Sequence, residues 1–178
     1  MARRGLTGVL LVGGASRRFG SPKPLARVGE DTLAERAWRR LGETCEEWLA
    51  VGKAADGLAL PFPLVDDGTN TRAPLAGVVA GLRAAANDIA VMLPVDCPLV
   101  TRELRLELAD ACADAAVPQT GPLPGAYTKT ALPVLERRLA DGRLALRKAL
   151  DELDVRVVEF DPELLRNVNT PDDLRSLA

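Results

Sequence analysis

The sequence predicts an α/β fold: a mostly parallel sheet with helices on both faces, in a single domain over residues 1–178. Three observations carry this. Short apolar runs alternate with amphipathic stretches along the chain, the order that builds parallel strands joined by crossover helices. The runs at 5–12 and 89–95 are apolar at successive rather than alternate positions, as strands buried on both faces are. The length suits one domain, which at this size buries roughly 70% of its unfolded surface without disulfide or metal staples.

Taken in order, residues 5–12 form the first strand. Thr32 and Glu35 make a capping box for a helix whose Leu33, Ala37 and Leu41 recur at helical spacing, with Ala34 and Trp38 alongside. Residues 48–52 form a second strand and 62–65 a short third. Pro74 opens the next helix, at a position where its missing N–H costs nothing. Leu75, Val78, Val79 and Leu82 make that helix apolar around much of its circumference, so it is expected to be buried. Residues 89–95 are the clearest core strand. Thr101 begins a helix with Leu104 and Leu108 on one face. Residues 115–117 read as a strand. "PQTGPLPGAYT", 118–128, reads as a loop leading to an edge strand. Residues 132–139 and 143–150 look helical, broken at Gly142, and 155–160 alternates like a strand. Thr170 caps the last helix, with Pro171 at its first position and Asp173 in its first turn.

Composition excludes several kinds of function. The net charge is −2, so no global basic field draws nucleic acid, and six aromatic residues leave little for stacking single-stranded bases. No apolar stretch approaches the ~20 residues that span a membrane. The chain has no histidine, which removes Ser-His-Asp and Cys-His catalysis and histidine metal sites. Cys45, Cys97 and Cys112 are scattered, odd in number and without a CxxC pair. They are expected to be reduced thiols in a cytoplasmic protein. The N-terminal arginines and apolar run loosely resemble a secretory signal, but Gly8 interrupts the run and a cationic loop follows it, so the run reads as the first strand.

Parallel sheets of this kind place ligands beyond the carboxyl ends of their strands. Three clusters fall at such ends: 13–23, 66–73 and Asp96. The first lies in "LLVGGASRRFGSPKPL", residues 10–25. It is not a dinucleotide fingerprint, because Gly13 and Gly14 are followed by five residues before Gly20. Nor is it a P-loop, because Gly20 precedes Ser21-Pro22-Lys23. It is longer and more cationic than either. Arg17, Arg18, Lys23 and Arg27 lie within eleven residues, with no acid before Glu30. Backbone N–H groups in a glycine turn, an arginine fork and a lysine point charge together suit phosphate. The alternative is a solvated loop with ordinary surface arginines.

Gly13, Gly14, Ser16, Arg18, Gly20 and Lys23, read as Gly-Gly-x-Ser-x-Arg-x-Gly-x-x-Lys, resemble the signature of nucleotidyltransferases that carry a nucleoside monophosphate onto a phosphorylated acceptor. Within these the chain most resembles the molybdenum cofactor guanylyltransferases. "APLAG" at 73–77, "LPVDCP" at 93–98 and "NVNTPDDL" at 167–174 are similar to later motifs of that family in order and spacing. The resemblance implies a Rossmann-like nucleotidyltransferase fold and GMP transfer from GTP to the phosphate of molybdopterin, with release of pyrophosphate and dependence on Mg²⁺. It implies that Leu11, Val12, Gly13, Gly14, Ser16, Arg18 and Lys23 contact the nucleotide, Arg18 and Lys23 through its phosphates.

Asp96 ends an apolar strand, where a carboxylate is a good hard-oxygen ligand for Mg²⁺ or a turn aspartate before Pro98. The resemblance implies the metal role. Asp66 sits in an Asp-Asp-Gly turn, ordinary turn chemistry, and the resemblance implies a nucleotide contact there rather than at Asp67. It further implies that Asn169 lies near metal and phosphates and Asn167 near the pterin acceptor. Cys97 reads as an inert small apolar residue. An anionic acceptor phosphate needs no protein nucleophile, which agrees with the missing histidine.

Gly13 in "LVGG" favours guanine, as guanylyl members carry Gly where cytidylyl members carry Ala. Against the family pattern, Val12 replaces alanine, Phe19 methionine and Ala73 glycine, and Gly52 stands where guanylyl members often have a base-touching asparagine. The alternatives are nucleotidyl transfer to another phosphorylated acceptor, as in molybdenum cofactor cytidylyltransferases or phospholactate guanylyltransferases, and a non-catalytic nucleotide or pterin carrier. Transient contact with molybdoenzymes or cofactor-insertion proteins is expected, and none with nucleic acid or membrane.

Overall fold

The computed structural model describes residues 3–14 and 19–177. The chain runs through β1 (Arg3–Leu11), a small hairpin of β2 (Arg27–Val28) and β3 (Asp31–Thr32), α1 (Leu33–Thr44), β4 (Cys45–Gly52), β5 (Leu64–Asp66) and α2 (Pro74–Ala84). It continues through β6 (Ile89–Pro94), α3 (Arg102–Ala111), β7 (Ala115–Pro118), β8 (Gly125–Thr128), α4 (Leu132–Ala140), α5 (Leu146–Ala149), β9 (Val155–Val158) and α6 (Pro171–Arg175). Among the described residues, seven strands form one sheet in the order β5-β4-β1-β6-β8-β7-β9. The pairs β5–β4, β4–β1, β1–β6 and β7–β9 are parallel, and β8 runs against both its neighbours.

Both faces of the sheet are covered, as the doubly apolar strands require. Leu6, Leu10, Val91 and Leu93 point to the layer of α1 and α3, where they meet Leu33, Leu41, Leu104 and Leu108. Val9, Leu11, Ala90 and Met92 point the other way, to Leu75, Val79 and Leu82 of α2 and Leu135 of α4. Gly8, which interrupts the first apolar run, sits beneath α1. A Cβ there would lie 2.9 Å from Leu41 Cδ2 and 3.0 Å from Cys45 Sγ, so the glycine lets the helix close on the sheet.

The capping box of α1 is present: Glu35 N donates to Thr32 Oγ1 and Thr32 N to the Glu35 carboxylate. Thr101 caps α3, accepting from Leu104 N. Strand bounds differ from expectation mainly at the amino ends, where β1 and β4 begin earlier, while β5 begins only after Pro63. Between the glycine loop and α1, Lys23–Leu25 forms a single 3-10 turn and the β2–β3 hairpin turns at Gly29 with φ 68°. Two features correct the sequence reading. The stretch after 118–124 leads not to an edge strand but to β8, inserted between β6 and β7 with Ala126 and Tyr127 fully buried. The second helix of the 143–150 stretch is shorter than expected and ends in a 3-10 turn at Leu150–Glu152.

Arg105 on α3 was unforeseen. It is 1% exposed, and its guanidinium donates to Thr44 Oγ1, Val100 O and Arg40 O. It therefore ties the last turn of α1, through Arg40 O and the Thr44 hydroxyl, to the Val100 carbonyl before α3, and burial lowers its pKa.

Candidate active site

Because β5, β4, β1 and β6 are parallel, their carboxyl ends lie along one margin of the sheet. The register sets Val51 and Pro94 beside Leu11, and Asp66 beside Gly52. At ~4.8 Å per strand the four ends span roughly 14 Å. Above them lies a cleft of about 490 Å³ with a floor and walls of Leu11, Val12, Gly13, Gly14, Val51, Gly52, Pro74 and Gly77. Lys23, Lys53, Asp67, Thr71, Arg72, Asp96, Asn167 and Asn169 supply its polar lining.

On the β6 side, the motif residues predicted from separate parts of the chain converge. Lys23 Nζ lies 3.5 Å from Asp96 Oδ2 and 3.5 Å from Asn169 Oδ1. The segment carrying Asn167 and Asn169 is stitched to the end of β6 by Val168 N donating to Asp96 O at 2.8 Å. Its far end is held by the cap of α6. Asp173 accepts from the backbone N–H groups of Asn169 and Thr170, bonds that hold its pKa below the usual carboxylate value, and its own N–H donates to Thr170 Oγ1. Cys97 is buried, as read, but it is not mere filler. Its Sγ donates to Asn167 Oδ1 at 3.2 Å, and burial foremost pushes the thiol pKa up. The acceptor oxygen of Asn167 is thus turned to the protein, leaving its amide N–H groups for other partners.

On the β4–β5 side, the sequence reading of Asp66 meets a different geometry. Asp66 is exposed and does not line the cleft. Its two oxygens accept from Ala54 N and Gly68 N, each at 2.7 Å, bonds that lower its pKa. Its neighbour Asp67 faces the cleft, paired with Lys53. Arg72 lies in the cleft wall and closes on Asp56 through both terminal nitrogens. The sequence reading did not single out Lys53 or Arg72, and it set Asp67 aside in favour of Asp66. One signal was available: Lys53 is one of only four lysines and directly follows the end of a strand. Ser16 and Arg18 lie outside the described residues. Leu11, Val12, Gly13, Gly14, Lys23, Asp96, Asn167 and Asn169 are brought together at the cleft.

A glycine corner, a lysine beside a carboxylate and an oxygen-rich C-terminal segment, at the ends of parallel strands, suit a phosphorylated ligand. With this sheet order they define an α/β nucleotidyltransferase. The chain belongs to the MobA-like NTP transferase domain family, whose model matches residues 8–157. It is similar to a probable molybdenum cofactor guanylyltransferase of Chloroflexus aggregans, 35% identical over 96% of this chain and 92% of that protein. It is likewise similar to one of Bacillus subtilis, 32% identical over 95% and 92%. Among solved structures it resembles molybdopterin-guanine dinucleotide biosynthesis protein A from Archaeoglobus fulgidus, with a TM-score of 0.80, 27% identity, and 96% and 95% of the two chains covered. The 2-C-methyl-D-erythritol 4-phosphate cytidylyltransferase of Thermus thermophilus shares the fold, with a TM-score of 0.72 at 22% identity over 95% of each chain.

Proposed function

We propose that the protein transfers GMP from GTP to the phosphate of molybdopterin, releases pyrophosphate, and works with a bound Mg²⁺. The observation that carries this reading is the meeting of Lys23, Asp96 and Asn169 beside the glycine corner. The guanylyltransferases among its relatives supply the donor and the acceptor.

The residues present fit a magnesium ion. Asp96 and Asn169 offer hard oxygens that converge on a single cation, the Lys23 ammonium. Among the described residues there is no cluster of three or more metal-ligating side chains. One or two protein oxygens are what Mg²⁺ takes when substrate phosphates and water complete its octahedron. Asp96 and Asn169 would hold it, and when bound it would supply charge neutralisation at the phosphate oxygens.

The chain's own groups supply positioning. Lys23 and Arg18 hold the β- and γ-phosphates beside Gly13 and Gly14, Ser16 contacts the nucleotide, and Leu11 and Val12 floor the nucleoside. Asn167 and Asn169 hold the acceptor. An acceptor phosphate oxygen attacks the α-phosphorus, the new P–O bond forms, and the bond to the bridging oxygen breaks to give pyrophosphate. The acceptor oxygen is anionic at neutral pH, so no base is needed, and the barrier falls through alignment and electrostatics.

Calorimetric titration with GTP, CTP and ATP, with and without Mg²⁺, tests this first. The expected result is a preference for GTP that needs Mg²⁺ and is lost in Lys23→Ala. In a guanylyl-transfer assay Asp96→Asn is expected to lose roughly 10²–10³ in rate. Preference for CTP would move the donor to cytidylate. Absence of binding to any of the three would overturn the reading.

A further inference from the structure

The chain has six aromatic residues, and three of them, both tryptophans included, meet at one surface groove of about 490 Å³. It lies between α1, β4 and the segment that leads into β5, and it shares no lining residue with the cleft. Trp38 stacks on Phe62 with ring centroids 4.1 Å apart, and Trp48 meets Trp38 edge to face at 6.0 Å. Gly42 lets Trp48 lie against α1, since a Cβ there would sit 3.0 Å from the indole ring. Glycine inside a helix costs about 1 kcal/mol relative to alanine, so this seat is kept against helix propensity. Trp48 nevertheless remains 38% exposed. Neither indole N–H donates to another described residue.

The charges around the rings have an order. Glu35, Trp38, Gly42 and Glu43 share one face of α1, so carboxylates stand at both ends of the aromatic strip. Asp31 is matched by Arg39 at 2.8 Å. Glu35 takes the N–H of Thr32 on one oxygen, and Glu43 is exposed; neither has an ion-pair partner among the described residues. This pattern decides the occupant. A second copy related by a two-fold axis would set these carboxylates against one another, because the same patch faces itself. An apolar segment with a cation at each end fits instead. Flat aromatic rings and unused N–H donors suit polyproline II, whose carbonyls have no internal partners. From Glu35 to Glu43 is roughly 12 Å along a helix, a distance that polyproline II spans in about four residues. We propose that the groove docks an extended, proline-containing segment of a partner protein, whose two arginines, four residues apart, meet Glu35 and Glu43. Arginine suits these places better than lysine, because its planar guanidinium also stacks on indole. A segment seated there touches none of the cleft's lining.

Both tryptophans line the groove, so intrinsic fluorescence reports its occupancy. The probe is the end-blocked peptide Gly-Ser-Arg-Pro-Leu-Pro-Arg-Ser-Gly, titrated into the full chain. The expected result is a saturable change in fluorescence. Binding is expected to be roughly tenfold weaker when both arginines are replaced by glutamine, or both prolines by glycine. Glu43→Gln is expected to weaken the arginine peptide roughly three- to tenfold and to leave the glutamine peptide unchanged. Trp48→Ala, followed by the anisotropy of a labelled peptide, is expected to abolish binding. A cooperative urea transition in each variant separates loss of binding from loss of fold. Should Trp48→Ala not fold, Glu43→Gln, at an exposed position, decides alone. No saturable response to the arginine peptide, or equal binding of the glutamine peptide, overturns the proposal. So does a dimer in sedimentation velocity that Trp48→Ala abolishes, because the groove would then belong to a second copy.

Discussion

Lysine occurs four times in this chain, and two of the four meet the cleft with different fates. Lys23 reaches toward Asp96 and Asn169 at 3.5 Å, a loose contact that a phosphate can displace. Lys53 is packed onto Asp67 at 2.9 Å. The place of Lys23 was legible because it belongs to a local motif, Gly13 to Lys23. The pairing of Lys53 was not, because Asp67 becomes its partner only when β4 and β5 pair. Asp66 makes the same point in reverse: adjacent aspartates look alike in the sequence, and the turn decides which one is consumed by backbone N–H groups. Cysteine gives a prediction at this scale. Burial raises Cys45 from 9.0 to about 12 and Cys112 to about 11, so the native thiolate fraction of Cys45 falls about a thousandfold. Iodoacetamide at pH 8 is expected to label none of the three cysteines appreciably within the time that labels all of them in urea, as read by mass spectrometry. Rapid native labelling of Cys97 would contradict its burial against Asn167.

At the scale of elements, two capping boxes of one design serve different ends. Thr32 and Glu35 start α1, beneath the sheet. Thr170 and Asp173 start α6, and Asp173 also holds the N–H of Asn169. Thr32→Ala and Thr170→Ala are each expected to cost about 1 kcal/mol, seen as a lowered urea midpoint. Only Thr170→Ala is expected to raise the KM for the acceptor, because it alone loosens the segment that carries Asn167 and Asn169. Equal kinetics in the two variants would separate that segment from the acceptor. Both boxes were legible from a Thr and an acid three residues on. The place of β8 was not, since nothing local in "GAYT" tells a strand at the edge from one inserted antiparallel between β6 and β7. Sheet order is decided by long-range pairing, which local pattern does not encode.

At the scale of the whole molecule, charge is arranged so that folding depends on pH at the extremes and not between them. Asp56 is held below its ordinary 3.8 chiefly by hydrogen bonds from Arg72, Asp66 by the N–H of Ala54, and Glu152 below 4.5 by Arg138. A lowered carboxylate pKa means that the folded chain binds fewer protons than the unfolded one. The stability it contributes is present above the ordinary value and lost as pH falls through the folded value. The buried thiols act at the other end. The folded chain keeps their protons where the unfolded chain releases them, so their contribution is complete below 9.0 and lost as pH rises past it. No imidazole titrates between these limits, because the chain has no histidine. Urea midpoints measured against pH are therefore expected to form a plateau from about pH 5.5 to 8, with a fall on each side. Cys112→Ala is expected to make the alkaline fall shallower without moving its onset, because Cys45 still titrates there, and to leave the acid fall in place. A step inside the plateau would show a shifted group that these contacts do not contain.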